Sequence, residues 1–222
     1  MKKALSLLMV FVVAAMWSVT SFAADKYVSG NIGISWISEA EDVYSDDSNG
    51  GYIVDFDSGI TLLGALGCDY GDYRMEGELG YQTGDYKSIA FFDGPESTDP
   101  IEAVGDFSIL SLMVNGYYDI DLGGVELSPT VGVGVAQVKK DGFAFGEMVE
   151  APEEYRWSAS EVTFAYQAGV GLGIPVSDNI TIDARYRYFA TTDYTFEFGE
   201  DGPQFNTNRE SHSALLGMRI NL

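Results

Sequence analysis

The chain has 222 residues, and its 34 Asp and Glu against 12 Lys and Arg set a formal charge of −22. A surface this acidic repels nucleic acid and anionic substrates and favours cations, so nucleic-acid binding is set aside. Cys68 is the only cysteine, which excludes an intramolecular disulfide even in an oxidising compartment.

The first residues read as a secretory signal. Lys2 and Lys3 are a basic start, Ala4 to Val19 is almost unbroken apolar sequence, and Ser21-Phe22-Ala23-Ala24 is a small-residue cleavage site. The expected division is a cleaved peptide over 1–24 and one mature domain over 25–222, whose charge becomes −24 once Lys2 and Lys3 are lost. No Cys follows the cut, so a lipoprotein is not expected. No later window has the ~18 continuous apolar residues of a spanning helix.

The rest alternates with a period of two, the signature of strands. The first strand runs from about Lys26 to Ser38, with Val28, Ile32, Ile34 and Trp36 on one face, before a polar loop over Glu39–Gly51. The second, Tyr52 to Tyr70, sets Val54, Phe56, Ile60, Leu62, Leu66 and Tyr70 against Asp55, Asp57, Thr61 and Asp69. Gly71-Asp72 is a two-residue hairpin turn with glycine where a primed type wants it. The third strand carries Tyr73, Met75, Leu79 and Tyr81 opposite Arg74, Glu76, Glu78 and Gln82.

After a loop over Asp85–Gly105, the fourth strand (Phe107–Asp119) offers Leu110, Leu112, Val114 and Tyr118. A short Asp121–Gly124 turn leads to a fifth, Val125 to Val135, in which Pro129 suggests a local bulge. A loop over Lys139–Ser158 precedes the sixth, where Val162, Phe164, Tyr166, Val170 and Leu172 oppose Gly169, Gly171 and Gly173. Across the turn at 175–179 the seventh sets Ile180, Ile182, Ala184, Tyr186 and Tyr188 against Asp183, Arg185 and Arg187. A last loop over Asp193–Arg209 reaches the closing strand, Ser211 to Leu222, whose Leu216, Met218, Ile220 and Leu222 complete an oily face and form its assembly signal.

Eight strands joined alternately by long loops and short turns predict an all-β, eight-stranded antiparallel up-and-down transmembrane barrel. In that arrangement long loops face outside, short turns face the periplasm, and both termini are periplasmic. A soluble lipocalin-type barrel would reverse the faces, burying the oily parity. The aromatic residues argue for lipid. Trp36, Tyr52, Tyr81, Phe164 and Tyr166 fall near the loop ends of their strands, and Tyr70, Tyr73 and Tyr118 near the turn ends, as two interfacial belts.

The inward parity is charged. From the Gly71-Asp72 turn, Asp69 faces Arg74, Gly67 faces Glu76 and Ala65 faces Glu78, so small residues make room for long ones in a lumen that side chains just fill. Confined charges must be paired. Arg74, Arg185, Arg187 and Arg219 are therefore expected to pair with Glu76, Glu78, Glu126 and Asp183, with Asp69 in the same network, making a plug rather than a wide pore. A narrow channel for small solutes or cations is the alternative if Asp55, Asp57, Glu76 and Glu78 are left unpaired.

Other candidates are weaker. Gly132–Gly134 and Gly169–Gly173 open no helix and read as lumen packing, not a phosphate loop. His212 is the only histidine and has outward parity, but Ala214 stands where a lipid-modifying triad would want a serine, so an interfacial histidine and no catalytic site are expected. Ser45-x-Asp47-x-Asn49-Gly50 faintly resembles a calcium loop but has Phe56 where the bidentate Glu belongs. No metal or other cofactor is expected, although the acidic loops suit diffuse divalent-ion binding.

The stretches LSPTVGVGVAQV (127–138), AYQAGVGLGIPVSDNITIDARYRYF (165–189) and SHSALLGMRINL (211–222) resemble the outer-membrane β-barrel family that includes opacity-type surface proteins and small OmpA-like porin-family barrels. The resemblance implies a monomeric barrel in the outer membrane of a Gram-negative bacterium. The resemblance implies no single function; the expectation is a structural or surface-interaction role, with contact with outer-membrane lipid, lipopolysaccharide and the barrel-assembly machinery, and with a host or surface ligand through the loops. Such barrels usually end in Phe or Trp, whereas this chain ends in Leu222.

Overall fold

The computed structural model describes residues 25–44, 50–93, 96–145, 157–197 and 204–222; the leader expected over 1–24 lies outside the described residues. From the start come β1 (Asp25–Ile37), β2 (Ala40–Tyr44), β3 (Gly50–Phe56), β4 (Gly59–Asp69) and β5 (Tyr73–Asp93). The middle holds β6 (Glu96–Ser97), β7 (Ile101–Tyr118), β8 (Ile120–Asp121) and β9 (Glu126–Phe145). The last are β10 (Trp157–Ser177), β11 (Ile180–Thr191), β12 (Tyr194–Glu197), β13 (Gln204–Thr207) and β14 (Glu210–Asn221).

Eight of these form a closed antiparallel ring in the order β1, β4, β5, β7, β9, β10, β11, β14. The seam joins the two ends of the chain, from Tyr27 opposite Asn221 to Ile37 opposite Ser211, and Leu222 N donates to Lys26 O at 2.8 Å. Closure leaves no free edge in the ring. The turn at Gly71-Asp72 forms as its residues require: Gly71 takes φ 93°, a conformation cheap only for glycine, and Tyr70 N donates to Tyr73 O at 2.8 Å.

The oily parity faces out. Val131 is 67 % exposed, Leu216 65 %, Ile32 58 % and Leu62 46 %, part of a continuous aliphatic band around the ring. A water-soluble barrel would bury this face; a band of this size needs lipid around it.

Two sequence expectations change. Pro129 makes no bulge: it lies opposite Val170 in an unshifted register, while the β7–β9 ladder stops at Tyr117–Thr130 and β8 resumes it at Ile120–Leu127. A residue without an N–H is tolerated where the neighbouring ladder is interrupted. Among the described residues the long loops are also mostly strand. β5, β7, β9 and β10 run on past the girdle, and β12, β13, β2 and β3 pair in that order with each other and then with β5, prolonging the barrel wall.

That prolongation has the opposite polarity to the ring. Its interior is an apolar core that includes Tyr52, Val54, Tyr86, Ile89, Phe107, Phe189, Phe196 and Phe205. Val54 is fully buried while Ile60, of the same parity, is 55 % exposed. The strand expected over 52–70 is broken at Asp57-Ser58, and the break exchanges its faces. A register shift at Asp55/Phe56 adjoins that break, and shifts at Asp85/Ser88, Val104/Asp106 and Trp157/Ala159 mark the same level on other strands, with Gly105 at φ 126° in one of them.

Candidate functional site

Two layers of side chains fill the barrel, and each has its own charge cluster. In the ring, the register delivers the inward residues as the turn predicts: Asp69 opposite Arg74, Gly67 opposite Glu76, Ala65 opposite Glu78, and Gly169, Gly171 and Gly173 opposite Arg187, Arg185 and Asp183. Gly67 serves Tyr27 more than Glu76, because a Cβ there would lie 2.2 Å from the Tyr27 ring.

Arg74, 2 % exposed, is the hub at the turn end. It does not take Asp69. Its Nη2 donates to Asp119 Oδ1 at 2.9 Å and its Nε to the other oxygen of the same carboxylate, while Nη1 reaches the Tyr27 hydroxyl at 3.3 Å. Asp69 turns away instead and accepts the Gly71 amide at 2.8 Å, an Asx-type bond that holds the hairpin. Asp119, at the strand's end, can point inward along the guanidinium edge and accept two parallel bonds, the stronger geometry.

Above Arg74, Glu76 accepts from the Tyr117 hydroxyl at 2.6 Å and from Ser29 at 3.3 Å, with Arg185 Nη2 at 3.6 Å. Arg185 also lies 3.8 Å from Asp183. Glu78 accepts from Asn115 at 3.1 Å and Gln167 at 3.2 Å, with Arg187 at 4.0 Å. Gln167 in turn accepts from Arg187 Nε, and Arg219 pairs with Glu126. Neutral Tyr, Asn and Gln groups thus supply donors to Glu76 and Glu78, the condition under which buried ions persist, whereas Asp183 Oδ2 and Arg185 Nη2 face each other without a hydrogen bond. The cavity among Glu78, Tyr117, Gln167, Arg185 and Arg187 is about 20 Å³, room for roughly one water.

Two residues expected to contribute carboxylates to the lumen do not. Asp55 accepts from Ser88 Oγ at 2.9 Å on the outer surface of the wall, and Asp57 is exposed. Both follow from the exchange of faces at 57–58, and so does Tyr52, which leaves the aromatic belt for the core at 3 % exposure. The other belt residues (Trp36, Tyr70, Tyr73, Tyr81, Tyr118, Phe164 and Tyr166) face outward, and Tyr73 and Tyr118 meet at 5.0 Å between ring centroids. Leu216, Met218, Ile220 and Leu222 are exposed on the same face.

The second cluster lies in the prolongation, beyond the level where outward residues turn from Val133 and Val135 to Gln137 and Lys139. Asp42 from β2, fully buried, receives Lys140 Nζ from β9 at 2.8 Å and Arg209 Nη1 at 3.5 Å. Lys140 also stands over the Phe196 ring at 3.4 Å, and Arg209 donates to Thr207 Oγ1 at 2.6 Å and Asn208 O at 2.5 Å. Burial would push the Asp42 carboxyl up, but Lys140 and then Arg209 outweigh it and hold it below the usual carboxylate range. Burial pulls the Lys140 ammonium down to about 7, Asp42 opposing and Arg209 adding to the fall. The sequence carries no hint of this cluster: Glu39 to Tyr44 shows no apolar alternation, and Asp42 stands between Glu41 and Val43 like any loop carboxylate.

His212 faces outward among aromatics. Its Nδ1 and the Tyr186 hydroxyl are 2.6 Å apart, and its ring lies 5.2 Å from that of Tyr188. The neighbouring serines turn inward, Ser211 to Gln82 at 3.2 Å and Ser213 to Ser35 at 2.9 Å. Among the described residues no group of three or more His, Cys, Asp or Glu is placed to hold a metal ion. Most of the calcium-like motif, Ser45 to Asn49, lies outside the described residues.

Comparison with known proteins places this architecture. Residues 5–209 match the sequence family described as outer membrane protein beta-barrel domain. The outer membrane protein PagN of Salmonella typhimurium LT2 is 31 % identical over 197 residues, covering 78 % of this chain and 77 % of PagN. Among solved structures, OprG of Pseudomonas aeruginosa superposes with a TM-score of 0.56 at 11 % identity, covering 90 % of this chain and 97 % of OprG. Neisserial surface protein A superposes with a TM-score of 0.50 at 17 % identity, covering 89 % of this chain and 97 % of that one. The last two likenesses concern fold alone.

Proposed function

The chain belongs to the outer membrane protein beta-barrel family, and from that premise we propose that it is a sealed scaffold whose work is done by its outer rim. The long hairpins face outside, and the short turns and both termini face the periplasm. The reading is carried by one observation: the lumen is filled at two levels, by paired ions within the ring and by an aromatic core in the prolongation. Glu76 and Glu78, the carboxylates on which a narrow cation path would depend, are each tied by two hydrogen bonds and face an arginine.

What remains free is the outside of the prolongation. Glu41, Asp57, Asp93, Glu102, Asp193 and Glu197 are exposed there, against Lys87 and Lys139. A rigid acidic rim selects cations and basic surfaces by charge, so the interaction is with a host or surface ligand of that kind, made by a monomer set in lipopolysaccharide after delivery by the barrel-assembly machinery. Reconstitution in planar bilayers together with whole-cell binding by hairpin-replacement variants tests this. We expect no large stable conductance, and binding that falls when a hairpin is replaced and weakens with salt. A steady conductance with hairpin-independent binding would overturn it.

A further inference from the structure

The aromatic girdle beside the long hairpins is lopsided. On four adjacent strands, β10, β11, β14 and β1, it contains Tyr166, Tyr186, Tyr188, His212 and Trp36, whereas β4 offers Ile60 and Leu62 and β7 offers Leu110. His212 lies directly opposite Trp36 on one side and Tyr188 on the other. Ring centroids run Tyr166–Tyr188 at 6.5 Å, Tyr188–His212 at 5.2 Å and His212–Tyr186 at 5.9 Å, the last pair stacked at 28°. Trp36, Tyr166 and Tyr186 remain 51 %, 40 % and 48 % exposed. The Glu210 carboxylate sits beside the Tyr188 hydroxyl.

Anchoring at a membrane interface asks only for rings with one wet edge, and Tyr81 on β5 supplies that. It does not ask for an imidazole tied to a tyrosine hydroxyl at 2.6 Å, nor for a carboxylate at the rim of a lipid-facing cluster, where desolvation penalises it. Flat ring faces edged by hydroxyls, an imidazole nitrogen and a carboxylate complement a pyranose. The sugar's C–H face stacks on a ring, and its hydroxyls need both donors and acceptors. The Glu210 carboxylate can accept from a sugar hydroxyl. At this depth a sugar arrives as a lipid headgroup.

We propose that the arc of Trp36, Tyr166, Tyr186, Tyr188 and His212, with Glu210 at its rim, binds the sugar headgroup of an outer-leaflet glycolipid. The inference needs the long hairpins to face outside but not the proposed role of the acidic rim. The barrel is placed in phosphatidylglycerol nanodiscs doped with rough-type lipopolysaccharide, and retained lipid is counted by native mass spectrometry, a measurement independent of either reading. The wild type is expected to retain lipopolysaccharide in preference to phosphatidylglycerol. Tyr188→Phe, which deletes one oxygen and leaves the fold intact, and His212→Ala should each cut retention at least about fivefold, the scale of one lost hydrogen bond. Tyr81→Leu, on the opposite side, should change it less than about twofold. Equal retention of both lipids by the wild type, or an equal loss with Tyr81→Leu, would show a general interfacial belt and overturn the site.

Discussion

Asp42→Asn is the sharpest probe of the prolongation. The carboxylate faces Lys140 Nζ at 2.8 Å and Arg209 Nη1 at 3.5 Å with no solvent access, so removing its charge leaves two buried cations. They differ in what they can do next. Lys140, already pulled down to about 7 by burial, sheds its proton, whereas a guanidinium cannot. The cost therefore falls on Arg209, about 3–5 kcal/mol by the precedent of broken buried pairs. It acts on the prolongation rather than the ring, so amide hydrogen exchange should show protection of β2, β3, β12 and β13 falling by roughly two to three and a half decades while the lower part of β14 is unchanged. Lys140→Met should cost less than about 1 kcal/mol at pH 8, since one unit above a value of about 7 the site retains only about a tenth of that charge. A loss below about 1 kcal/mol for Asp42→Asn, or one shared equally with the ring, would refute the assignment of Asp42 as the central tie.

The same cluster predicts a pH dependence. The folded value for Lys140 is about 7 against an unfolded value near 10.4, so between those limits the unfolded chain holds more protons. Stability of the prolongation then rises with pH through that window, by up to about 1.4 kcal/mol per unit, and is lowest below pH 7; in Lys140→Met the slope vanishes. In the ring, Asp119→Asn should destabilise by about 3 kcal/mol or more in urea titrations, while Asp69→Asn stays within about 1 kcal/mol, because only the first leaves Arg74 unpaired. Glu78→Ala with Arg187→Ala opens only the ring level, so planar bilayers should stay silent while the aromatic core of the prolongation is intact; a steady cation conductance in this double variant would show that the core does not seal the lumen. Gly33→Ala would set a Cβ 1.9 Å from Ala214 O at the closing seam, and should lower the folded, heat-modifiable fraction on gels by an overpacking cost of about 1–3 kcal/mol.

Residues near a short turn were legible because two facts suffice there, a period of two and a turn that sets the register. Gly71-Asp72 alone places Asp69, Gly67 and Ala65 opposite Arg74, Glu76 and Glu78, and the ladder has those pairs. The partner of Arg74 was not legible, because choosing Asp119 over Asp69 depends on how a strand's last side chain turns on a neighbouring strand, which no spacing encodes. One polarity does not hold along the whole length of each strand. Ile109, Met113, Ala136, Val138, Phe189 and Leu215 all sit on the supposedly polar parity and all are buried. Apolar residues on both parities signal a wall whose inner face is oily too, and that signal was present in the sequence. Within the ring the outside is lipid, so the inside can be ionic; in the prolongation the outside is water, so the inside must be oily. A chain crossing that boundary either exchanges its faces, as at Asp57-Ser58 and Asp85/Ser88, or keeps its inward parity and changes residue type, as β7 does from Asn115 and Ser111 to Phe107 and Ala103. The alternating pattern therefore misleads where the solvent outside the barrel changes.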